Sequence, residues 1–125
     1  SYDLPIHSSR LITQRRKNYM ASYDDFQKLE LKVAQIESVE THPNADRLYV
    51  LKIKIGEAHK QIVAGIKAHY TPEELQGKKI VVIENLEPAV IRGVESNGML
   101  LAASDPTILT LIVPERPIPD GAKVK

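Results

Sequence analysis

Apolar and polar positions begin to alternate at Leu31, and the alternation changes parity in one informative place. Leu31 and Val33 share one face of an extended segment, Ile36 falls on the other, and Val39 returns to the first. The pattern predicts a strand from Leu31 to Glu40 with a bulge near Ala34. One inserted residue turns every later side chain over and bends the strand. A long bent first strand suits a small barrel, because it must serve two sheets. Leu48 to Ile55 is the clearest strand, with Tyr49, Leu51, Ile53 and Ile55 on one face and Leu48, Val50, Lys52 and Lys54 on the other. Strand geometry sets the two lysines roughly 7 Å apart. Gly56 closes this strand, and a third runs from Lys60 to Ala64.

The connections carry equally local signals. Asp24 or Asp25 is expected to cap a short helical turn through Leu29. Thr71-Pro72-Glu73-Glu74 combines a capping threonine, a proline at the first helical position and a capping-box glutamate, and Gly77 stops that helix almost at once. The run Ile80 to Ile83, within Lys79 to Leu86, predicts a strand buried on both faces. Asn97-Gly98 predicts a hairpin turn into a strand from Met99 to Ala103. Ile108 to Val113 predicts one more strand before Pro114, Pro117 and Pro119. The elements sum to an all-β chain of five main strands, one short helix between the third and fourth, and an additional C-terminal strand. That order is the organisation of an OB-fold barrel, with an SH3-like barrel as its nearest competitor. Residues 1–22 form an N-terminal segment apart from the domain at 23–125. Arg10, Arg15, Arg16 and Lys17 make it either a basic phosphate-contacting arm or a leader ahead of Met20.

Composition narrows the chemistry more than the fold. No cysteine occurs among 125 residues, which excludes disulfides, thiolate metal sites and cysteine nucleophiles and fits a reducing, cytoplasmic setting. No apolar run reaches the ~18 residues of a membrane span, so no membrane association is expected. The formal net charge is only +1, so any phosphate binding must rest on local arrangement rather than a global field. Aromatic residues make up 5% of the chain, too few to stack many unpaired bases. His7, His42, His59 and His69 show no ligand spacing and read as unrelated surface or loop residues. Gly93 to Gly98 is one residue too long for a nucleophile elbow, and it is followed by Met99-Leu100 where a phosphate loop needs Lys and Ser or Thr. No catalysis, metal or cofactor is therefore expected.

What remains is a candidate binding surface. It comprises Lys52 and Lys54 on the second strand, Lys60 on the third, Asn44 and Arg47 in the first loop, and Arg92 and Ser96 in the loop before the last barrel strand. An OB-fold places ligands on these strands and loops. For any one lysine, a solvated strand face is the competing explanation.

Several separated segments together resemble the structure-specific tRNA-binding domain family. They are Asp25 to Val33, Pro43-Asn44-Ala45-Asp46-Arg47-Leu48, Gln61 to Ile66, Tyr70 to Leu75 and, most tellingly, Arg92 to Ala103. The similarity runs from about Asp24 to Lys125. It implies an OB-fold that binds the body of tRNA without catalysing a reaction. It also implies a homodimer built from C-terminal elements, and kinship with free tRNA-binding proteins and with domains or beta subunits of methionyl-tRNA synthetase. By motif match, the binding role falls on Asn44, Ser96 and Met99, with Arg92 as a phosphate partner. Met99 has a plainer explanation as a core gap-filler. Polypeptide-binding secretion chaperones of the CsaA type share the implied fold and dimer, and the Ser96 to Met99 step favours tRNA over them. Ile108 to Val113 is apolar on both faces of a strand, so one barrel covers half of it. This run, through Leu109, Leu111, Ile112 and Val113, is the expected dimer contact.

Overall fold

The computed structural model describes residues 19–125. The basic cluster from Arg10 to Lys17 lies outside them. Helix α1 (Tyr23–Gln27) is capped by Ser22 rather than by either aspartate. The Ser22 hydroxyl accepts the Asp25 N–H at 3.0 Å, and the Asp25 carboxylate accepts the Ser22 N–H at 3.1 Å. The reciprocal pair satisfies two otherwise orphaned donors, so Asp25 serves from inside the helix.

Strand β1 (Leu31–Thr41) is the long first strand, but its bulge lies further on than Ala34. Ile36 opposes Ile53 and Ser38 opposes Lys52, which leaves Glu37 as the inserted residue. Two effects were superposed in the sequence pattern. Ala34 and Ile36 point into the barrel core, while Leu31 packs outside with Val81, Ile83, Leu101 and Val124, so the first half of the strand is covered on both faces. The bulge at Glu37 then turns Val39 back toward the core.

Strands β2 (Tyr49–Ile55) and β3 (Ala58–Ala64) form a hairpin through Gly56-Glu57, with Gly56 at φ 61 supplying the first central position of the turn. Helix α2 (Pro72–Leu75) has the expected capping box between Thr71 and Glu74 and buries Leu75. Strand β4 (Lys79–Ile83) is buried on both faces from Ile80 onward, as its unbroken apolar run predicted.

The Asn97-Gly98 hairpin does not form. The turn sits earlier, at Arg92-Gly93, joining β5 (Ala89–Ile91) to β6 (Val94–Ser96). Both turn residues have positive φ, 54 and 86, as a type I′ turn requires. Gly98 (φ 135) answers a different need: a Cβ there would lie 2.9 Å from the Ile83 carbonyl oxygen. The expected Met99–Ala103 strand accordingly divides in two. β7 (Met99–Leu100) pairs with β4, whereas β8 (Ala102–Ser104) pairs with β9 (Leu109–Leu111). β10 (Lys123–Val124) adds to the start of β1.

The main sheet has the order β3-β2-β1-β4-β7 with β10 beside β1, and it curls into an OB-like barrel. Its interior is filled by Ile36, Leu51, Ile53, Ile62, Ile80 and Val82, all essentially inaccessible to water. Burying each such side chain contributes on the order of 1.5–3 kcal/mol.

Gly77 and Gly98, both at positive φ, make a controlled comparison. Gly77→Ala (φ 80, open space around it) pays only backbone strain, whereas Gly98→Ala adds the clash with Ile83. Denaturant unfolding should therefore show the Gly98 variant losing well over ~1 kcal/mol and clearly more than the Gly77 variant. Equal losses would refute the close-approach role of Gly98.

Candidate nucleic-acid interface

The loop after β1 and the β5–β6 turn meet at one end of the barrel. His42 N–H donates to the Leu48 carbonyl at 3.1 Å, closing the first loop into a compact turn. The Asn44 side-chain amide donates to the Arg92 carbonyl at 3.2 Å. Between the two loops lies a hollow lined by Ala45, Asp46, Arg47, Leu48 and Arg92. The fold thus brings Arg47 and Arg92, far apart in sequence, to the rim of one depression, and both are exposed.

The three lysines of the strand face part company. Lys52 is exposed, stands in register with Ser38 and Gln61, and donates to the Gln61 side-chain oxygen at 2.5 Å. Lys54 is held by Asp120 at 3.2 Å, which ties the C-terminal segment to β2. Lys60 lies opposite Ile53, on the alternate side of β3, and its ammonium donates to the Glu84 carbonyl at 3.1 Å. Lys52 and Lys60 still border one shallow hollow with Glu37, His59, Gln61 and Asn97, because β3 is the edge of the curled sheet. Within that hollow His59 pairs with Glu37 at 2.7 Å. Lys32, elsewhere on the barrel, is matched by Glu84 at 2.9 Å, a hydrogen-bonded carboxylate that raises the lysine above its ordinary 10.5.

Ser96 and Met99 also differ. Ser96 is buried, its hydroxyl accepting the Val63 N–H at 3.0 Å and donating to the Gly98 carbonyl at 3.2 Å. Met99 is 46% exposed at the β4 edge, so it does not fill the core. His42, set aside in the sequence as an ordinary loop histidine, is 3% exposed. Nothing local distinguishes it from His69, because its burial comes from the distant β5–β6 turn.

The C-terminal strand divides by face. Leu111 is part of the barrel core and Leu109 packs against it, whereas Ile108, Ile112 and Val113 are exposed.

A family model described as "Putative tRNA binding domain" matches residues 31–123. A methionine–tRNA ligase of Thermococcus kodakarensis is 49% identical over 110 residues, covering 88% of this chain; the chain spans only 15% of that relative's length. Among solved structures, a MetRS-related protein of Pyrococcus horikoshii superposes with a TM-score of 0.79 at 34% identity, covering 85% of this chain and 98% of its own. The CsaA chaperone protein of Picrophilus torridus gives the same TM-score at 30% identity, covering 85% of this chain and all of its own.

The Ser96 hydroxyl fixes a main-chain donor of β3, so its loss should register first as stability. Ser96→Ala leaves the Val63 N–H without its partner, at a cost of about 1–3 kcal/mol. Hydrogen exchange at the Val63 amide should accelerate by more than at amides elsewhere in β3. Unchanged unfolding and unchanged exchange would show that the bond contributes nothing.

Proposed function

The chain belongs to the tRNA-binding domain family, and from that membership we propose that it binds the folded body of tRNA and catalyses no reaction. The observation that carries this reading is the convergence of Arg47 and Arg92 on one hollow, with Lys52 exposed on the neighbouring strand face. Two exposed arginines lining one depression suit phosphate oxygens, which accept paired hydrogen bonds from planar guanidinium donors. Lys54 and Lys60 serve the site less directly, since Asp120 and the Glu84 carbonyl already occupy their ammonium groups. Met99 adds an exposed apolar contact, and Ser96 supports the loop from beneath. The scarcity of aromatic residues favours a ligand recognised by shape and backbone over splayed single-stranded bases.

Kinship with a methionine–tRNA ligase supports a role beside or within a methionyl-tRNA synthetase, in the cytoplasm. Among the described residues no helix is long and apolar enough to cross a membrane. A polypeptide-binding role is the second reading, favoured by the likeness to the CsaA chaperone. Assembly as a homodimer completes the proposal. Ile112 and Val113 present apolar surface outward while Leu109 and Leu111 serve the chain's own barrel, so the contact falls on the first pair with Ile108.

Titration against folded tRNA, unfolded RNA of equal length and an extended polypeptide separates these readings. Folded tRNA should bind tightest, with affinity falling as salt rises. Equal binding of both RNAs would defeat recognition of the folded body, and binding of polypeptide alone would favour the chaperone. Arg47→Ala, Arg92→Ala and Lys52→Ala should each reduce the salt slope by about 1, and Lys54→Ala by less.

Sedimentation at low micromolar concentration tests assembly. A species of twice the 14.0 kDa chain mass supports the dimer, and one near that mass refutes it. Ile112→Asp should dissociate the dimer without unfolding the barrel, because it leaves an unpaired charge in the contact but none in the core.

A further inference from the structure

Among the described residues, the buried polar side chains are Ser96, which serves the barrel seam, and His42, which has no such duty. The Asn44 main-chain N–H donates to His42 Nδ1 at 2.9 Å, so that nitrogen must present a lone pair. The ring proton then sits on Nε2, which faces the Ile91 carbonyl at 2.9 Å and donates to it. The Asn44 side chain reaches the next carbonyl, that of Arg92. Two loop residues thereby grip two successive carbonyls of the β5–β6 turn through a single chain of hydrogen bonds.

The gripped turn contains the molecule's backbone anomaly. Arg92, at φ 54, is the non-glycine residue with positive φ among the described residues. The first central position of such a turn favours Asn, Asp or Gly, and an arginine there is conformationally disfavoured. A glycine or asparagine would make the turn more easily, so the arginine answers a need other than turning. We propose that His42 is a positioning residue: its neutral ring, with Asn44, latches the turn so that Arg92 is held in the left-handed conformation with its guanidinium presented at the hollow shared with Arg47. The inference rests on the tRNA reading for the ligand, though not for the latch itself.

The two bonds of the ring can be removed one at a time in the full chain. His42→Asn can keep an acceptor for the Asn44 N–H and loses the donor to Ile91; His42→Gln can keep that donor and loses the acceptor. Asn44→Ala removes the Arg92 bond from an exposed position, so it carries the test if either His42 variant fails to fold. With Arg92 present, Asn44→Ala and each folded His42 variant should weaken tRNA binding about three- to tenfold, the worth of one hydrogen bond. They should also lower the salt slope toward that of Arg92→Ala. In an Arg92→Ala background the His42 changes, made at a buried residue with no assigned ligand contact, should leave affinity unaltered. Equal losses in both backgrounds would overturn the proposal, because the latch would then not act through Arg92.

Nitrogen-15 spectra of the ring decide the latch even if tRNA proves not to be the ligand. A protonated Nε2 and bare Nδ1, with amide shifts confined to Ile91 through Val94 in the Asn44 variant, support it. A protonated Nδ1, or an undisturbed turn, refutes it. Absence of tRNA binding by the unaltered protein would defeat the functional reading while leaving those spectra to judge the latch.

Discussion

The free edge of β3 is where the curled sheet has to close, and it closes without a continuous ladder. The Asn97 N–H donates to the Gln61 carbonyl at 2.8 Å, the Gln61 side chain donates to the Glu95 carbonyl, and the Ser96 hydroxyl takes the Val63 N–H. A barrel seam must satisfy its edge groups or expose them as a template for another strand. Here side chains stand in for missing main-chain partners, and that choice fixes β6 against β3. The β5–β6 hairpin then has one orientation, and its turn falls over the first loop. The Arg47–Arg92 hollow is thus a consequence of how the barrel is sealed.

Gly98 belongs to the same constraint. Immediately after the seam the chain must pass close to the Ile83 carbonyl before β7 can pair with β4. A side chain there would push β7 away from β4 and Asn97 away from Gln61. The Asn-Gly pair therefore marks a close approach between strands, while the real turn uses Arg92-Gly93, a pair far less suggestive by composition.

Charge is distributed in a way that counting lysines does not convey. With a formal net charge of +1, cations and anions nearly balance, and several cations have partners: Lys32 with Glu84, Lys54 with Asp120. Both pairs are half-buried, and each lowers the local field an anionic ligand would meet. Arg47, Arg92 and Lys52 carry no ion pair with a carboxylate among those formed by the described residues, and they lie toward the barrel's loop end and the β2–β3 face. Electrostatic attraction is thereby concentrated without a strongly basic composition.

Local patterns in the sequence determined what local physics controls. Alternation marked β2 and the doubly buried β4, the Thr71-Pro72-Glu73-Glu74 box marked α2, and the strand order marked an OB-like barrel. The residues of the candidate surface were also legible, because loops rich in Asn, Asp and Arg stand out from strands. What tertiary structure decided was every assignment that depends on a distant partner. The bulge belongs to Glu37 and not to Ala34, since the outer cover of Leu31 comes from Val81, Ile83 and Val124. Lys54 and Lys60 are engaged because Asp120 and Glu84 happen to arrive beside them. Ser96 and His42 are buried because β3 and the β5–β6 turn close over them. Alternation and capping are set by neighbours within a few residues, whereas burial and hydrogen-bond partnership are set by which strands meet, and only the closed barrel specifies that.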